Sequence, residues 1–142
     1  MTGRIFAGLL LAAALIPAPA LAQSSIAIGQ PADKAAGGVT FGVWAGAQTH
    51  DRADVEALRL CRTTEGSSKQ AHNMCTVVAR YDNQCVSFAM DPRAGTYGFG
   101  WAVFPTQALA DRVALANCRA SARDQRNFCV ISLRHCDGSA AM

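Results

Sequence analysis

"TYGFGWAVFPTQALADRVALANCR" spans Thr96 to Arg119, and "TFGVWAGAQTHDRADVEALRLCR" spans Thr40 to Arg62. Trp44 precedes Cys61 by 17 positions and Trp101 precedes Cys118 by the same 17, with Thr, Asp, Ala, Leu and Arg recurring between them. The chain therefore states one unit twice. In the second statement Tyr97, Phe99, Trp101 and Val103 alternate with Gly98, Gly100 and Ala102, the period of two that a strand requires. One face carries large rings and the other almost nothing, so the glycine face is expected to lie against a helix.

The helix follows directly. Thr49 and Thr106 stand just ahead of the two helical patterns, where a hydroxyl can take a first-turn N–H, and Pro105 discourages helix before it. Ala53, Ala57, Leu58 and Cys61 form one stripe, and Ala110, Ala114, Leu115 and Cys118 repeat it. Small alanines let the helix approach a glycine-bearing strand. Extended outward, the first copy covers about 25–84 and the second about 85–138, each reading β-β-α-β. The expected fold is α+β: antiparallel strands in a sheet, two helices packed on it, an internal pseudo-repeat and disulfide staples. The turn "GQPADKAAGG" and the polar "RTTEGSSKQAHNM" read as loops.

The six cysteines are Cys61, Cys75, Cys85, Cys118, Cys129 and Cys136. An even number in a small exported domain reads as three disulfides. Each helix ends in a cysteine and the next strand begins with one, which suggests Cys61–Cys75 and Cys118–Cys129. Cys85 and Cys136 then remain; both read as following the last strand of a copy, so Cys85–Cys136 is expected to join the halves.

Residues 1–22 read as a signal peptide: a positive start, the apolar "IFAGLLLAAALI", and "PAPALA" ending in small residues. Cleavage after Ala22 would leave a single domain over residues 23–142, placed in the periplasm or secreted, without stable insertion in a membrane. Removal of Arg4 lowers the formal charge from +3 to +2, and no basic run points to nucleic acid.

The strand "TYGFGWAVF", the helix "ALADRVALANC" and the cysteine-led strand "CVISLRHC", given twice behind a signal peptide, resemble the bacterial secreted DUF4189 domain. The resemblance runs over about residues 25–138. It implies fold, export and disulfides, and it brings no catalytic residue.

Chemistry is harder to read. His135 and Cys136 are adjacent and point to opposite faces of a strand, so they do not suit one metal ion. His50 at a helix start, His72 in a loop and His135 all read as surface or capping residues. Asp51 and Asp54 read as first-turn charges that complement the helix dipole, and Asp91 as the opening of the turn "DPRAGT". Thr63, Thr64, Ser67 and Ser68 lie near His72, in a loop that gives poor support to a triad. No catalytic constellation and no cofactor site is expected. The expected function is a non-enzymatic binding protein whose partner is another envelope or secreted protein, in its sharpest form an inhibitor or immunity-type protein acting on a toxin or hydrolase. The alternatives are an accessory envelope protein and a hydrolase with a hidden site. The candidate contact residues are Lys69, His72 and Asn73 in the long loop and Asp91, Arg93 and Tyr97 at the hairpin.

Overall fold

A computed structural model describes residues 22–122, 128–138 and 140. The signal-peptide reading falls almost wholly outside these residues, as does most of the second helix-to-strand loop. The chain forms β1 (Gln23–Gly29), α1 (Lys34–Gly37), β2 (Thr40–Ala47), α2 (His50–Thr63), α3 (Lys69–Asn73), β3 (Thr76–Tyr81), β4 (Cys85–Met90), β5 (Phe99–Phe104), α4 (Gln107–Ser121) and β6 (Val130–Cys136). Among the described residues no helix is long and apolar enough to cross a membrane.

The strands divide between two antiparallel sheets, ordered β2-β1-β3 and β5-β4-β6. Each copy builds its own sheet, because each carries its own hairpin and return strand. Ile26, Ile28, Phe41, Val43 and Tyr81 of the first sheet pack against Val86, Phe88, Phe99 and Trp101 of the second. The rings of Phe41 and Phe88 stack with centroids 4.2 Å apart. The helices take the outer faces, α2 on β1 and β2, α4 on β4 and β5. The layers are therefore helix, sheet, sheet, helix.

Both helices start and pack as their sequences indicate. Thr49 Oγ1 accepts from the Arg52 amide and Thr106 Oγ1 from the Leu109 amide. Ala53, Ala57 and Cys61, and equally Ala110, Ala114 and Cys118, are fully buried. The strand beneath must yield space. A Cβ placed on Gly100 would lie 2.5 Å from the Ala114 carbonyl oxygen, and one on Gly42 would lie 2.5 Å from the Cys61 amide nitrogen.

Those two glycines correct the apparent register of the repeat. Equivalent helix residues are 57 apart, as Cys61 and Cys118 are, whereas Gly42 and Gly100 are 58 apart. Gly42 pairs with Ala27 and Gly100 with Ala89, so they are true counterparts. The first copy holds one extra residue, at a bulge where the pairing jumps from Ser25 and Trp44 to Gln23 and Ala47, with Gly46 at φ 73°. An inserted residue moves what precedes it to the opposite face. Trp44 accordingly packs outward with Leu58 under α2, while Trp101 packs inward on the central core. The two tryptophans that mark the echo are not equivalent; the counterpart of Trp101 is Val43.

The disulfides are Cys61–Cys75, Cys118–Cys129 and Cys85–Cys136. The first two tie a helix end to the following strand. Cys85 opens β4 and Cys136 closes β6, and the two are direct cross-strand partners with Cα atoms 3.9 Å apart. This bridge lies inside the second sheet and does not join the halves. The counterpart of Cys136 is Asp82, not Cys85, because β3 ends at Tyr81 where β6 runs one residue further.

Two segments read as loops contain short helices. Asp33 caps α1 and Ser68 caps α3, the latter accepting from the Ala71 amide at 3.1 Å. Ala71 is fully buried over Gly29, which anchors α3 to the first sheet.

Candidate functional site

Polar side chains beneath each helix form a second, less obvious repeat. In the first copy Ser25 donates to Asp54 Oδ1, and Arg80 reaches the same carboxylate through Nε and Nη2. In the second, Ser87 donates to Asp111 Oδ1 and Arg134 Nε bonds Oδ2 at 2.8 Å. Ser25 pairs with Arg80 and Ser87 with Arg134 in the strand registers, so both trios are built by the central strand, the return strand and the second helical turn. Asp54 is thus no capping residue; it lies beyond the first turn and joins α2 to the sheet. Both serines are fully buried, which puts their hydroxyls beyond the reach of a substrate.

The copies differ beside these trios. Gln107, at the first position of α4, donates to Ser87 Oγ and to Asp111 Oδ1. His50 holds that position in α2, with Nε2 3.3 Å from Asp82 Oδ2 and a buried Nδ1 that has no partner among the described residues. His135 is also internal: its Nδ1 lies 3.4 Å from the Tyr81 hydroxyl, between the sheets. Burial raises the Tyr81 pKa above the ordinary phenol range, and the Asp137 charge adds to the effect. Both histidines are half-buried, since the inward end of β6 and the start of α2 each pack on one side and meet solvent on the other.

Carboxylate ionisation is coupled to the fold at three places. Hydrogen bonding by Arg80 lowers the Asp54 pKa, and Arg93 does the same for Asp91. At Asp111 burial opposes ionisation, but the bonds from Ser87, Arg134 and Gln107 outweigh it and the pKa is again lowered. A depressed folded-state pKa contributes stability above the unfolded carboxylate value, about 4, which is lost as pH falls through the folded value. Urea midpoints are therefore expected to fall steeply below about pH 4. Asp111→Asn should flatten that fall relative to the parent; an unchanged acid limb would show the trio to be uncoupled from folding.

The six candidate contact residues fall into two groups. Lys69, His72 and Asn73 lie on α3 and, with Arg62, border one depression. His72 Nε2 bonds the Thr64 carbonyl at 2.9 Å, so this nitrogen carries the proton and ties α3 to the end of α2. Thr64 Oγ1 in turn donates to the carbonyls of Leu60 and Phe41. These hydroxyls serve the backbone rather than the imidazole.

Asp91, Arg93 and Tyr97 line a separate cleft of about 290 Å³ together with Lys34, Gly38 and Gly66. The Asp91 side chain is buried and accepts from the Arg93 amide, Nε and Nη2. The Arg93 guanidinium lies 3.4 Å from the Phe128 ring centroid. Asp91 thus holds Arg93 in place from below. Lys34, Gly38 and Gly66 come from the first copy, and nothing local in the sequence sets them beside the second hairpin. Asp54 and Asp111 were findable, since both follow the first alanine of the repeated helix stripe. Among the described residues no group of three or more His, Cys, Asp or Glu is placed to hold a metal ion.

Duplicate β-β-α-β units, sheets packed face to face and bridges confined within each unit define a class of disulfide-stapled α+β domain. The chain belongs to the DUF4189 family, described as a domain of unknown function, whose model matches residues 24–136. No curated protein and no solved structure matches it. Its three disulfides are consistent with an extracytoplasmic protein.

Proposed function

We propose that the protein is an exported domain of the periplasm or secreted fraction that acts by contact with another envelope or secreted protein, as an inhibitor or immunity-type protein acts on a toxin or hydrolase. The cleft between the two hairpin turns carries this reading. It brings Lys34 of one copy to Arg93 and Tyr97 of the other on a scaffold stapled on both sides. Arginine and tyrosine are the residue types that most often dominate a protein interface, and a rigid support reduces the ordering cost of using them. The signal-like residues 1–22 and the disulfides support export. The buried serines of the two Ser–Asp–Arg trios favour a structural role for that chemistry over a hydrolytic one.

The test is an affinity pulldown with the oxidised chain from Gln23 to Met142 on the envelope and secreted fractions of its own cells. One stoichiometric hydrolase or toxin is expected to survive a salt wash, with retention reduced at least tenfold by Arg93→Glu or Tyr97→Ala. Retention unaffected by both substitutions would remove the cleft from the interface. Hydrolysis of peptidoglycan or peptide by the pure protein would overturn the reading.

A further inference from the structure

The inner faces of the two sheets are filled unequally. On one side β5 of the second copy sends Trp101 and Val103 onto the central core, and β3 of the first copy contributes Tyr81, only 2% exposed. The pseudo-equivalent place is bordered by β2 and β6. Here Val43 of the first copy is the counterpart of Trp101 of the second, and His135 of the second is the counterpart of Tyr81 of the first. Leu133 replaces Ala79 and returns part of the volume, but an isopropyl group falls well short of an indole. A cleft of about 220 Å³ remains at the β2 and β6 edges, lined by Val43, Ala45, Leu133 and His135 and bordered by the outward-facing Trp44 and Arg134.

We propose that this cleft is a binding site for one planar aromatic ring of about indole size. The chain itself places an indole at the corresponding position, so the shape and the apolar wall suit that group. An apolar cavity of about 150 Å³ is enough for benzene, and this cleft is larger and open on one side. His135 adds a polar edge: its Nδ1 faces Tyr81, and its Nε2 makes no bond among the described residues. A ring hydroxyl can use that nitrogen in either tautomer, and a ring N–H can use it when Nδ1 carries the imidazole proton. The site is distinct from the Lys34 and Arg93 cleft, and it does not depend on the protein partner proposed above.

The oxidised protein is titrated with indole and, separately, with N-acetyl-L-tryptophanamide, while backbone amide NMR shifts are followed. Saturable shifts at Val43, Ala45, Leu133 and His135 are expected, with a Kd on the order of 1 mM for so small a ligand. Val43→Trp, which fills the cleft as Trp101 fills its counterpart, should weaken binding at least tenfold; Ala45→Leu serves the same purpose if that variant does not fold. Trp101→Ala opens the equivalent position and should take up a second indole. Binding of both probes identifies an aromatic side chain of a polypeptide as an admissible occupant. Binding of indole alone restricts the site to free aromatic molecules. Absence of saturable shifts with both probes, or shifts that persist unchanged in the filled variants, would overturn the proposal.

Discussion

Gly100→Ala is expected to destabilise the protein by about 3 kcal/mol, the upper part of the range for overpacking a closed contact. The added methyl would meet the Ala114 carbonyl oxygen at 2.5 Å and the Cys118 amide nitrogen at a still closer approach. Both are backbone atoms in the middle of α4, so no side chain can turn aside. Relief requires α4 to lift from β4 and β5, which would open the alanine stripe to water and pull on Cys118, tied to Cys129. Thermal unfolding should show a loss on the order of 10 °C for a domain of this size. Gly42→Ala should behave alike, since its neighbours are the counterparts Ala57, Leu60 and Cys61. A loss below about 1 kcal/mol at both positions would mean that the helices ride more loosely on their sheets than the packing implies.

Replacing Cys85 and Cys136 together by alanine is expected to cost about 4 kcal/mol, against about 3 kcal/mol for Cys118 and Cys129. The two bridges span sequence separations of 51 and 11. The longer loop leaves the unfolded chain more freedom once opened, and that difference sets the order. Guanidinium unfolding of the two double variants tests it, and equal or reversed costs would show that local packing outweighs loop closure. The same bridges predict a simpler result. A cut engineered between Tyr81 and Cys85 in the oxidised protein should release two fragments on a denaturing gel without reductant, because every bridge closes within one copy.

Confinement of the bridges leaves the halves held together by apolar contact and a short connection. Ser24 of β1 donates to Asp137, just beyond β6, and the Asp137 amide bonds the Gln84 carbonyl. These polar ties cross the pseudo-repeat in addition to the stacked Phe41, Phe88 and Phe99 rings. The two copies differ beside their polar trios. Gln107 bonds the polar trio of the second copy, whereas His50 keeps one buried nitrogen without a partner among the described residues.

The sequence by itself determined the two units, the threonine caps, the alanine stripes and the glycine face that receives a helix. Each of these is written within a few residues, because capping, helical spacing and strand alternation are local. Only the tertiary structure decided that there are two sheets, that Trp44 and Trp101 point to opposite sides, that Cys85–Cys136 staples one sheet, and that Lys34 and Arg93 line one cleft. A one-residue bulge reverses every face before it, yet it appears only when the paired strand is known. The Ser–Asp–Arg trios were half legible: Asp54 and Asp111 align in the repeat, but their serines and arginines lie on strands that pair Ser25 with Arg80 and Ser87 with Arg134, separations of 55 and 47 positions. Long-range pairing sets both the clefts and the polar trios, and it leaves no periodic mark in the sequence.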